Sequence, residues 1–185
     1  MEDYRRLSAY PVPGWVQDDW VIDYELNRRG IQLDMDLVRG ALAIDDQHKT
    51  ELVEKAIQIT GLTNPNSRNQ LLTWINDNSD LKLEKLTKET VAESLQIAEA
   101  QVAEVLHIRR ALAKSSISKY ESMKNAVCAD GRIRGVLQFY GANRTGRWAG
   151  RLVQVQNLPH DVPAAMDTAI RLVKNGNIRG VKLMY

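Results

Sequence analysis

The segment Thr145-Gly146-Arg147-Trp148-Ala149-Gly150-Arg151-Leu152-Val153-Gln154-Val155-Gln156-Asn157-Leu158-Pro159 gathers hydrogen-bond donors and carries no carboxylate. The guanidinium of Arg147 is a planar fork that can span two acceptors. Arg144 and Arg151 add positive charge on either side, and Thr145 adds a hydroxyl. Gln154 and Gln156 stand two apart, so on an extended segment they project to the same side. Asn157 then points to the other side or sits in the turn before Pro159. Amides and a guanidinium suit the minor-groove acceptors of a nucleic acid, purine N3 and pyrimidine O2. Those acceptors are similarly placed in every base pair, so contacts to them test geometry and read little sequence. The competing reading is a polar hairpin whose amides satisfy their own main chain.

A second group lies upstream. Apolar residues Val102, Val105, Leu106, Leu112, Ala113, Ile117, Tyr120 and Met123 recur at three or four, which predicts one long helix over residues 99–126. On that helix Arg110, Lys114 and Ser118 form a row at i, i+4, with Ser115 and Lys119 beside it. Such a row suits phosphate oxygens, and a solvated basic face is the plainer alternative.

Other chemistries find little support. His48, His107 and His160 lack metal-ligand spacing, and adjacent Asp45 and Asp46 diverge by about 100° on a helix, which makes no two-metal cradle. Neither common phosphate-binding glycine loop occurs. Cys128 is the single cysteine, which excludes an internal disulfide. The four tryptophans, Trp15, Trp20, Trp74 and Trp148, read as packing residues, with Trp148 ambiguous because it follows Arg147. No apolar run approaches the roughly 20 residues that span a bilayer, and the N-terminus has no signal-peptide core, so a cytoplasmic protein is expected.

Charge is divided along the chain. Residues 1–104 hold 11 Lys/Arg against 19 Asp/Glu, and residues 105–185 hold 14 against 4. A basic C-terminal half fits a polyanionic partner, since Lys and Arg displace the counterions of phosphates. It also fits a basic face that balances the acidic half within one fold.

The elements that must position these groups read as mainly α with a small β part, an α+β chain. Residues 1–14, with Tyr10-Pro11-Val12-Pro13-Gly14, form a connector. A helix is expected from Trp15 to Arg28, and a second of about 27 residues after Asp34 as cap, stopped by Gly61. Ser67 and Gln70 make a capping box for a helix through Trp74, and Thr87 with Glu89 starts another. Residues 132–140 read as one strand. Asp161 caps a last helix that ends near Asn175-Gly176, with Pro163 in its first turn.

Taken together, the motifs resemble the DNA polymerase I family (family A), in its bacteriophage type. Thr145-Gly146-Arg147 is followed, nine residues after the arginine, by Gln156-Asn157-Leu158-Pro159. Asn64-Pro65-Asn66-Ser67 with Gln70-Leu71 resembles the family's thumb motif, and Arg29-Gly30-Ile31 with Asp34 its preceding element. Tyr10-Pro11-Val12-Pro13 resembles the exit from an exonuclease-like domain. The resemblance implies a connector over residues 1–14, a helical thumb over 15–130 with long antiparallel helices at 34–60 and 99–126, and the start of the palm over 131–185. It implies that Arg147 contacts the primer end through the minor groove, and that Gln156 and Asn157 contact the primer–template duplex. Gln154 stands where the family usually has Asn. Ala149 and Gly150 replace frequent serines, and Trp148 replaces a leucine. Basic and hydroxyl residues near the thumb tip, here Lys114, Ser115, Ser118 and Lys119, grip the backbone. The family's metal-binding aspartates lie further downstream than Tyr185. The resemblance therefore implies a fragment without catalytic residues or a metal site of its own. Its intact parent would use Mg2+ and deoxynucleotides in the host cytoplasm, and apolar surface left exposed could drive self-association. The alternative is a stand-alone helical nucleic-acid-binding protein without polymerase activity.

Overall fold

A computed structural model describes residues 9–114, 116–154, 157 and 165–184. Among them it is mainly helical with a small antiparallel β part, as the patterning predicts. In chain order the elements are α1 (Gly14–Arg29), β1 (Ile31–Gln32), α2 (Met35–Thr60), α3 (Arg68–Asp77), α4 (Lys88–Ser94), α5 (Ala100–Leu112), α6 (Ser118–Ala126), β2 (Arg132–Ile133), β3 (Leu137–Ala142), β4 (Arg147–Gly150), α7 (Met166–Lys174) and α8 (Ile178–Met184). They fall into two units, one of residues 1–39 and 119–174, the other of residues 40–118 and 175–185.

The helix starts follow the capping residues closely. Asp34 accepts from the Leu37 main chain at 3.1 Å and opens α2. The same carboxylate meets Lys174 at 2.5 Å, and that hydrogen bond, with the Leu37 one, holds it below the usual carboxylate range. Ser67 caps α3 through the Gln70 N–H, although the Gln70 side chain makes no return bond among the described residues. Thr87 starts α4 in a full capping box with Thr90, and Glu89 sits in the first turn as expected.

Three expectations are corrected. The single helix over 99–126 is two helices, α5 and α6, separated at residues 113–117. Ala113 is bonded to both Arg109 and Ala111, so the last turn of α5 tightens. Ser116 and Ser118 follow, and serine favours caps and turns over helix interiors. The single strand over 132–140 is likewise two, β2 and β3, because the chain turns at Gly135 with φ +67°. The helix ending at Lys174 is followed by α8, opened by Asn177, whose side chain accepts from the Gly180 N–H at 2.9 Å. Asp161 and Pro163 lie outside the described residues.

Each unit has its own core. In the second, Leu71, Ile75, Val91, Val102, Val105 and Leu106 pack from α3, α4 and α5, with Trp74 against them. In the first, Ile133, Val136 and Val153 pack with Leu33, Met123, Ala126 and Leu137. Of the four tryptophans expected to pack, Trp74 lies against a buried core. Trp15 and Trp20 are 61% and 53% exposed, and α1 buries none of its residues. Val21, Ile22 and Tyr24 of the same helix are exposed as well, and its polar residues Asp23 and Asn27 meet the chain at Leu137 and Phe139.

Candidate nucleic-acid interface

The Thr145 segment is presented on a β3–β4 hairpin in the first unit, and α1 holds that hairpin by its edge. Asp23 accepts from the Phe139 N–H at 2.9 Å. Asn27 donates to the Leu137 carbonyl at 2.9 Å and accepts from its N–H at 3.3 Å. Asp23 and Asn27 are one helical turn apart and so share a face. Their side chains act as a missing strand and occupy the edge that would otherwise be open for pairing. Two arginines fix the end of α1. Arg132 donates to the Gly30 carbonyl at 3.0 Å, and Arg134 to the Arg28 carbonyl at 3.0 Å, where cations complement the helix dipole. Arg134 also forks onto Asp130 at 3.0 and 2.6 Å. That contact drops the Asp130 carboxyl to about 2 and raises the guanidinium of Arg134 above its ordinary value. Hence β2 and its flanks spend their charge on structure.

The turn of the hairpin is tight. Ala142 pairs with Arg147, and the Ala142 carbonyl accepts from Thr145 at 3.0 Å and Gly146 at 2.9 Å. Gly146 has φ +66°, and a Cβ there would lie 2.7 Å from the Tyr140 ring. Tyr140 sits in the bulge between Gln138 and Ala142 with φ +52°, a conformation uncommon for a bulky side chain. Arg144, Thr145 and Arg147 are exposed around this turn. Neither Arg144 nor Arg147 bonds through its guanidinium to another described residue. Trp148 faces the opposite way from Arg147 and meets Phe139 edge-on at 5.7 Å. That resolves its ambiguity: it packs at the hairpin's inner side while staying 36% exposed.

Downstream the geometry departs from expectation. The ladder ends at Gly150, and Leu152 and Gln154 have φ +58° and +51°. Gln154 therefore stands in a turn, not on an extended segment. Its main-chain N–H donates to the Arg151 carbonyl at 3.2 Å and its carbonyl accepts from Asn157 at 2.9 Å. The Asn157 side chain donates to Gln154 Oε1 at 2.9 Å, and Arg151 donates to the Gly150 carbonyl at 3.2 Å. These three side chains are partly spent locally, while Arg144 and Arg147 meet no side-chain partner among the described residues. Lys119, at the start of α6, donates to the Asn157 carbonyl at 3.0 Å. Two groups named from distant parts of the sequence thus meet in one unit.

The remaining candidates divide. Gln156 and Ser115 lie outside the described residues. Lys114 is exposed but belongs to neither helix, and Ser118 opens α6; both fall in the second unit. The break between α5 and α6 dissolves the expected i, i+4 row. In the second unit His48 and His107 line one groove with Leu52, Ala103 and the Lys55–Glu104 pair, which is 2.5 Å apart. Their separation in sequence gave no sign of this. Nor did it mark Asp23, Asn27, Arg132 and Arg134, since side chains that serve as edge or cap partners carry no spacing signature.

No helix among the described residues is long and apolar enough to cross a membrane. No family model matches the chain. A DNA polymerase of Bacillus phage SP02 is 46% identical to it over 167 residues, 90% of this chain and 26% of that protein. The chain spans about a quarter of that relative's length. This hairpin-bearing chain is therefore similar, across nearly all of its own length, to one portion of a phage DNA polymerase.

Proposed function

We propose that this chain is the primer–template-binding portion of a DNA polymerase of the polymerase I family, comprising the thumb and the first strands of the palm. The observation that carries the reading is the exposed Arg147, bonded through its side chain to no other described residue, on a hairpin whose edge is held by Asp23 and Asn27 of α1. It gains weight from the similarity to a DNA polymerase along 90% of the chain. Bracing of the hairpin limits the main-chain freedom lost on binding, and the Arg147 fork suits minor-groove acceptors. Arg144, Thr145 and Lys119 contact the backbone nearby, and Lys114 and Ser118 are further backbone contacts. Gln154, Asn157 and Arg151 exchange local bonds for nucleic-acid ones. In the intact polymerase, Mg2+ would supply charge neutralisation at the phosphates during deoxynucleotide addition in DNA replication. The carboxylates that hold it belong outside these 185 residues, in a protein acting in the host cytoplasm.

Fluorescence anisotropy with a labelled primed duplex tests this. Binding is expected to be tolerant of sequence and to fall steeply between about 50 and about 200 mM salt. Arg147→Ala is expected to weaken it about 10-fold, the scale of a hydrogen bond from a charged donor. Equal affinity of Arg147→Ala and wild type across the titration contradicts the site. Primer extension by this chain alone, with Mg2+ and deoxynucleotides present, contradicts the assignment of catalysis to residues outside it.

A further inference from the structure

The two faces of the hairpin differ in chemistry. Directly opposed residues of an antiparallel pair share a face. The pairs Gln138↔Ala149 and Ala142↔Arg147 therefore put these four residues on one face, while Leu137 turns to the core on the other. Gln138 and Arg147 are both exposed, and neither side chain bonds to another described residue. The floor between them is kept low. Ala142 and Ala149 are small, and a Cβ on Gly141 would lie 2.5 Å from that of Ala149 and 3.2 Å from that of Gln138. Two free donor groups thus flank a bare surface that another molecule can approach closely.

We infer that Gln138 is a second minor-groove contact of this hairpin, touching a base pair near the one that Arg147 touches. The inference rests on the duplex-binding reading. The Gln138 amide can donate to purine N3 or pyrimidine O2 and accept from the guanine amine, so it fits any pair. Diagonal partners across an antiparallel pair lie roughly 7–8 Å apart. That is about two base-pair rises of about 3.4 Å, so the two side chains reach different pairs. A bulky residue at position 141 or 149 would hold both off the groove.

The test uses primed duplexes carrying 3-deazaadenine at successive positions, which deletes one minor-groove acceptor and leaves Watson–Crick pairing intact. Wild type is expected to lose affinity about 3- to 10-fold at two positions one or two pairs apart, the range of single neutral to charged hydrogen bonds. Gln138→Leu should weaken binding to the unmodified duplex by about 3-fold or more and become insensitive at one of those positions only. Arg147→Ala should become insensitive at the other. Gln138 is exposed, so the variant should keep the wild-type circular dichroism spectrum. The inference is overturned if Gln138→Leu binds as wild type or keeps both sensitivities. If Arg147→Ala alone weakens binding, Gln138 falls and the duplex reading stands. If wild type itself fails to bind primed duplex, both fall.

Discussion

Arg147 and Arg134 show how one residue type takes opposite roles fifteen residues or fewer apart in sequence. Arg134 is spent on Asp130 and on the Arg28 carbonyl, and Arg147 is spent on nothing described. The difference predicts different responses to pH. The Asp130 carboxyl lies at about 2 in the folded chain, below an ordinary aspartate near 3.9. A depressed carboxyl contributes stability that is complete above the unfolded value and is lost as pH falls from about 4 toward about 2. Titration of the Asp130 side-chain carbon by NMR is expected to show the low value in wild type and a return toward the ordinary range in Arg134→Met. An unchanged value in that variant would remove the ion pair as the cause. Arg147→Met, by contrast, should leave that titration where it was.

At the scale of elements, the hairpin is held by α1 and shaped by its own turn. Asn27→Ala removes both bonds to Leu137 and should cost about 1–3 kcal/mol in denaturant unfolding, the range for one or two net hydrogen bonds. Gly146→Ala places a side chain at φ +66° against the Tyr140 ring. It should cost about 1 kcal/mol or more, and weaken duplex binding with it, because the turn aims Arg147. Loss of stability with full binding would separate the turn from the site. The elements were unequally legible. Asp34, Ser67 and Thr87 announced their helices because a cap is a local bond between neighbours in sequence. The break between α5 and α6 was hidden, since the apolar period runs through it unbroken from Val102 to Met123. The division of 132–140 into β2 and β3 was hidden as well, although Gly135 lies in the middle of it. A glycine is compatible with either a strand or a turn, and only the packing of Ile133 and Val136 into one core chooses.

For the whole molecule, two units with separate cores imply separable responses to damage. Leu106 is 0% exposed, and Leu106→Ala should destabilise by about 2–5 kcal/mol through the lost contacts and the cavity left behind. Hydrogen exchange is expected to accelerate most across α3, α4 and α5, and least across the hairpin. Uniform acceleration throughout would indicate one cooperative unit instead.

By itself the sequence determined the element types, the helix starts and the donor-rich character of the Thr145 segment. Each depends on neighbours a few residues apart, where periodicity and capping act. Tertiary structure decided which donors remain available. It bent Gln154 out of an extended path and tied Asn157 to Lys119. It set Gln138 beside Arg147 on one face and turned Trp148 to the other. Those outcomes depend on strand register and on main-chain partners distant in sequence, which spacing along a single chain does not encode.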